Sequence, residues 1–161
     1  MKKLSHINDE GQVQMVDVTG KNKTIRVAKA GGKVKMDPQT LKMIENGHIA
    51  KGNVLTTAKI AGIMAAKKTG ELIPLCHPLD LTGIDINLKI DHKNSQIIIE
   101  AQVQTVGKTG VEMEALTAVS VAGLTIYDMC KSADKKIIIG EIMLLEKSGG
   151  KSGTFTRNVT K

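Results

Sequence analysis

The chain has 161 residues, of which 41% are hydrophobic, 24% charged and 1% aromatic, and its formal net charge is +7. That length and apolar fraction describe one globular domain able to bury about 68–70% of its unfolded surface, and exclude a disordered polypeptide. With Tyr127 and Phe155 as its only aromatics, the chain lacks the stacking platforms of RRM-like and OB-fold single-strand binders.

The positive charge is carried by lysine: of 23 basic residues only Arg26 and Arg157 are arginine. A lysine surplus suits an anionic partner and equally serves solubility. The longest apolar run, Ile60 to Ala66, falls far short of the ~20 residues that cross a bilayer, so no membrane partner is expected. The opening MKKLSHINDEG has no apolar segment of a signal peptide. Cys76 and Cys130 are not in CxxC spacing and read as free thiols, which points to a reducing cytoplasm.

Residues 1–22 are polar and read as a loose arm, with Met15, Val16 and Val18 as anchors. Thr24 to Ala30 alternates as a strand, Gly31-Gly32 is expected to turn it, and Lys33 to Met36 adds a short extension. Asp37-Pro38 reads as the N-cap and first residue of a short helix through Leu41 and Ile44 that stops at Gly47. Asn53 to Thr69 is a stronger helix, with Asn53 as its cap and Gly70 as its stop. Pro74 and Pro78 make 71–80 an ordered loop.

Leu81 to Ile90 alternates as a half-buried strand, and after a turn at 92–95 Ile97 to Val106 completes a hairpin. Glu112 to Ser132 is a long helix, almost wholly apolar from Ala115 to Ile126, and Ile137 to Leu145 is the last strand. The order strand, helix, strand, strand, helix, strand predicts an α+β, ferredoxin-like βαββαβ fold, an antiparallel sheet with helices packed on one face. The expected organisation is an arm at 1–22, a single catalytic domain at 23–147 and a Gly/Ser/Lys-rich tail at 148–161.

Three segments are unusual for a purely structural chain. LIPLCHPL stiffens a Cys76-His77 pair between two prolines. A packed, hydrogen-bonded histidine is the plainer reading, and no second Cys/His pair gives metal-ligand spacing, so no metal site is expected. GKT at 107–109 fails the phosphate-loop pattern because Gln102 stands where Gly is required. Gly107 and Gly110 can still offer backbone N–H groups to an anion, while Glu112 and Glu114 suit a helix start by the macrodipole alone. KSGGKSG can form a phosphate nest, although composition alone favours a flexible tail.

Asp128 and Lys131 are three apart at the far end of the long helix, where a carboxylate opposes the dipole. Glu114 and Asp128 on one helix stand ~21 Å apart and cannot both reach one small substrate within a single subunit. The helix is also apolar on more sides than one sheet face can cover. Both facts favour a two-fold pairing of subunits.

Together, KGNVLTTAKIAGIMAAKKT, LIPLCHPL, GKTGVEMEALTAVSVAGLTIYDMCK, KSGGKSG and the early MVDVTGK resemble the cyclic pyranopterin monophosphate synthase family, from about Leu4 to Arg157. The resemblance implies a lyase of molybdenum cofactor biosynthesis. It would convert a cyclised dihydroguanosine triphosphate, derived from GTP, to cyclic pyranopterin monophosphate and release diphosphate. It also implies a homohexamer, a trimer of dimers with sites between subunits, and no organic cofactor; Mg2+ beside the triphosphate stays open.

Carried onto this sequence, the resemblance gives Asp128 as catalytic acid/base and Lys131 as its neighbouring lysine. Leu75, Cys76, His77, Met113 and Glu114 fall in substrate-binding segments, with Glu112 in the same pocket. Arg26, Lys51, Lys67, Lys147 and Lys151 match basic residues around the phosphates. Lys131 is expected to have a lowered pKa from burial and neighbouring cations. The rival reading is a basic nucleotide- or RNA-binding module without catalysis, which the missing aromatics disfavour, so no nucleic-acid partner is expected.

Overall fold

Alternating apolar residues produce the strands, and the three-to-four-residue spacing of small apolar residues produces the helices that cover them. The computed structural model describes residues 7, 8, 10–151 and 153–158, so the outer parts of the expected arm and tail lie outside the described residues. In chain order the elements are β1 (Thr24–Lys35), α1 (Pro38–Glu45), α2 (Val54–Lys67), α3 (Thr69–Leu72), β2 (Leu81–Asp91), β3 (Gln96–Gly107), α4 (Glu112–Cys130), β4 (Ile138–Ser148) and β5 (Phe155–Thr156).

The strands form one sheet in the order β2-β3-β1-β4-β5, and every neighbouring pair is antiparallel. The first four strands have the split βαβ order of a ferredoxin-like α+β fold, with β5 appended at the edge. Both long helices pack on one face: α4 lies over β1, β3 and β4, and α2 lies beside it over β2.

The core fills the space between these layers. Ala28, Ala30 and Val34 of β1 and Ile97, Ile99, Ala101 and Val103 of β3 meet Ala115, Ala118, Val119, Ala122 and Ile126 of α4. Each fully buried Val or Ile contributes roughly 1.5–3 kcal/mol. Small residues set the helix spacing. A Cβ on Gly62 of α2 would stand 2.9 Å from the Ala118 carbonyl oxygen and 2.5 Å from Ile86 Cδ1. Asn53 caps α2 as expected, accepting the Thr56 N–H at 2.9 Å.

Several local expectations are corrected. β1 runs unbroken through Gly31 and Gly32, and neither has a positive φ. These glycines serve close approach instead: a Cβ on Gly31 would lie 2.9 Å from Leu145 Cδ1, and one on Gly32 would lie 2.6 Å from Val119 Cγ1. The pairing of β1 with β4 shifts register between Lys29 and Ala30 and again between Gly31 and Lys33, so β4 bulges where the glycines leave room. Gly70 does not stop a helix; it sits in α3, pressed against the backbone of Pro78. Asp37 occupies the cap position of α1 without a side-chain cap bond, and its N–H donates instead to the buried Asp134 carboxylate at 2.9 Å. The tail also adds an element, β5, which pairs with β4 through Glu146 and Lys147.

Candidate active site

The start of β1, the loop after β3, the end of β4 and the first turn of α4 converge on one side of the molecule. A cavity of about 660 Å³ opens there, and Arg26, Lys108, Glu112, Lys147 and Lys151 line it. A second cavity of about 430 Å³ continues from it, lined by Leu75, Cys76, His77, Met113 and Glu114. Lys21, Thr109, Gly110 and Glu112 line both, so the two adjoin as halves of one cleft region, with these residues as the neck between them.

Each wall has a local cause. The Arg26 guanidinium donates to the carbonyls of Gly149 at 3.2 Å and Lys108 at 3.3 Å, which clamps the two glycine-bearing loops together. Gly149 and Gly150 have φ of 101° and 71°; a side chain on Gly149 would collide with the Ile25 carbonyl, and one on Gly150 with that guanidinium. The KSGG segment is therefore built into the cleft wall, contrary to the expectation of a flexible tail. Arg26 Nε and Thr24 Oγ1 are buried there without a hydrogen-bond partner.

Glu112 and Lys147 pair at 2.9 Å. The Glu112 carboxylate also folds back against Gly110, where a Cβ would collide with it. In the second half of the cleft Glu114 is 4% exposed. Burial first, and the charge of Glu112 to a lesser degree, push its pKa up. The Cys76 thiol is raised by burial and by the Glu114 charge. His77 Nε2 lies 2.8 Å from the Val16 carbonyl oxygen; a carbonyl only accepts, so this nitrogen donates.

A second cluster sits at the other end of α4. Asp128 bonds Lys131 at 2.7 Å through one oxygen and Lys51 at 2.7 Å through the other, and Lys51 also donates to the Asp128 carbonyl at 2.9 Å. The hydrogen bonds from Lys131 and Lys51, then their charges, hold the Asp128 carboxyl at about 2. Lys131 moves the other way from expectation: its hydrogen bond to Asp128 raises its pKa, because the side chain is exposed and faces a carboxylate.

The sequence-selected residues thus divide. Leu75, Cys76, His77, Glu112, Met113, Glu114, Arg26, Lys147 and Lys151 share the cleft. Asp128, Lys131 and Lys51 form the remote cluster, so Lys51 stands with the carboxylate and apart from the other basic residues. Lys67 ends α2 in solvent and lines neither group. Sequence reasoning passed over Lys21, Lys108 and Thr24, all on the cleft wall. For Lys21 the available signal is the DVTGK segment, and for Lys108 the GKTG segment. Among the described residues no three His, Cys, Asp or Glu side chains converge as metal ligands, and no helix is long and apolar enough to cross a membrane.

Fold and site together define a class: a ferredoxin-like α+β enzyme with a lysine-rich cleft and a separate carboxylate–lysine cluster. The chain belongs to the MoaC family, whose model matches residues 15–150. It is 58% identical over 156 residues to the cyclic pyranopterin monophosphate synthase of a Thermoanaerobacter species, covering 97% of this chain and 99% of that protein. The enzyme of the same name from Pelotomaculum thermopropionicum is 57% identical, covering 98% of this chain and 92% of the relative. That from Clostridium acetobutylicum is 56% identical, covering 96% of each.

Proposed function

We propose that this chain catalyses the reaction for which these relatives are named. It takes the cyclised dihydroguanosine triphosphate to cyclic pyranopterin monophosphate, in molybdenum cofactor biosynthesis. The observation that carries the reading is the pair of adjoining cavities. One half is cationic, through Arg26, Lys147 and Lys151, and suits a polyphosphate. The other half offers His77, Cys76, Met113 and the buried Glu114, which suit a purine-derived ring.

A sugar hydroxyl oxygen bonds to the α-phosphorus, the bond from that phosphorus to the bridging oxygen breaks, and diphosphate leaves with the electron pair. The hydroxyl proton passes to a base. This step depends on alignment and on positive charge near the leaving group. The ring rearrangement needs further proton transfers, assigned here to Asp128 and Lys131.

A carboxyl at about 2 is a weak base. A bound polyanion beside it would raise that carboxyl, and since Asp128 stands ~21 Å along α4 from Glu114, the chemistry calls for a second subunit whose cleft meets the Asp128 cluster. Exposed Ile60 and Met64 on α2 and Leu124 on α4 support such a partner. A homohexamer built as a trimer of dimers, with sites between subunits, is the assembly we propose. Unpaired Cys76 and Cys130 fit a cytoplasmic setting. The RNA-binding alternative is not favoured, because no Phe, Tyr or Trp lines the cleft as a platform for successive bases.

Diphosphate release from the cyclised triphosphate is the direct assay. Asp128→Asn and Lys131→Ala should each remain folded and assembled, with turnover down by about 100-fold or more. Near wild-type turnover in either variant refutes the role assigned to that residue.

A further inference from the structure

The cleft has one wall that the proposed chemistry has not used: the segment running up to β1. Val16, Val18 and Lys21 all line the second cavity, and Lys21 lines the first as well. This segment is tied down at two points. His77 donates to the Val16 carbonyl at 2.8 Å, and Lys108 Nζ donates to the Thr19 carbonyl at 2.7 Å. Between the ties the chain turns on itself. Thr19 N–H donates to Asp17 at 2.8 Å, and Lys21 N–H donates to the Val18 carbonyl at 3.0 Å. The turn delivers Lys21 to the neck where the two halves meet.

The cations around the neck differ in what they hold. Lys147 is paired with Glu112, Lys108 is committed to Thr19, and the Arg26 guanidinium is divided between two loop carbonyls. No ion pair among the described residues engages Lys21. Among the described residues its ammonium group has no carboxylate to give up before it meets an external anion.

We propose that Lys21 is a substrate-binding residue, gripping the polyphosphate where the chain of phosphates passes from the cationic half of the cleft to the ring-binding half. This rests on the reading of the substrate as a triphosphate. A flexible lysine stem suits a group that leaves as diphosphate, since a point charge follows the phosphates without a fixed fork geometry.

The experiment compares the whole assembled protein with Lys21→Met, Lys21→Arg and Lys23→Met. Lys23 lies two residues along the same segment, carries the same charge and lines neither cavity. Calorimetry with inorganic diphosphate measures affinity without turnover, and steady-state kinetics with the cyclised triphosphate measures KM and kcat. Lys21→Met should weaken diphosphate binding and raise KM by about tenfold or more, with kcat within about threefold of wild type. Lys21→Arg should recover most of the affinity, and Lys23→Met should match wild type.

Wild-type diphosphate affinity in Lys21→Met, or equal weakening in Lys23→Met, overturns the proposal. So does a wild-type protein that binds no diphosphate. If the wild type binds diphosphate but does not turn over the cyclised triphosphate, the reaction assignment fails. The Lys21 comparison is then decided on binding alone.

Discussion

Glu114 and Asp128 stand at opposite ends of α4, fourteen residues and ~21 Å apart along its axis. One is buried in a cleft beside Cys76, and the other is exposed between two lysines. No single small molecule touches both in one subunit, so a reaction that uses both has to be completed by a neighbouring copy.

That separation predicts complementation. Asp128→Asn and Lys147→Ala, each inactive alone, should regain activity when their subunits are mixed and reassembled. Random pairing in two-fold dimers leaves about a quarter of the sites with both wild-type halves. Turnover of the mixture should approach that fraction of wild type. A mixture as inactive as its components rules out sites shared between subunits.

The Asp128 cluster makes a spectroscopic prediction. A carboxyl held down by two ammonium groups should titrate at about 2 in the free protein, followed by carbon-13 NMR of its side chain. Lys51→Ala removes one of the two, and the midpoint should move up toward the ordinary carboxylate value. A depressed carboxylate contributes stability above its unfolded pKa and loses it as pH falls through the folded value. Because this one is exposed, acid melts should barely register the change.

Glu114 has the opposite sign. Its folded pKa is raised by burial, so its contribution to stability is most favourable at low pH and is lost as pH climbs through that raised value. Glu114→Gln should melt higher than wild type near neutral pH, and the gap should close as pH is lowered from about 8 to about 4. Thermal melts across that range check it; a gap independent of pH would show that burial of the charge is not its source.

Packing between α2 and α4 is testable at one atom. In Gly62→Ala the new methyl would have to displace Ile86 and the backbone oxygen of Ala118, at 2.5 Å and 2.9 Å. Overpacking of this kind costs ~1–3 kcal/mol, and each kcal/mol lowers Tm by about 2–4 °C at this chain length. Gly140→Ala is the control, since nothing lies within 4 Å of its Cβ and its φ is not positive. Equal melting temperatures for the two variants would remove the helix-contact argument.

The hairpin of β2 and β3, the capped start of α2 and the span of α4 were legible because each follows from residues close in sequence: strict alternation, an asparagine cap, a long run of helix formers. The Gly31-Gly32 pair was misread for the same reason. Two glycines in a row are a turn signal locally, but here they leave room for Leu145, more than a hundred positions later, and for a helix crossing above. Lys21 and Lys108 were missed because a lysine looks alike on any solvated surface until a carbonyl from a distant loop fixes where it points.

From the order of residues alone came the βαββαβ plan, the family motifs, the Cys76-His77 loop and the separation of Glu114 from Asp128. Periodicity, helical rise and chain order are local properties, written into neighbouring positions. Only the folded chain decided that Arg26 clamps two loops, that the KSGG segment is wall and not tail, that Lys51 stands with Asp128, and that Lys131 is raised and not lowered. Those outcomes depend on which distant groups meet and how far water is excluded between them, and Coulomb energy and desolvation are functions of distance in space, not along the chain.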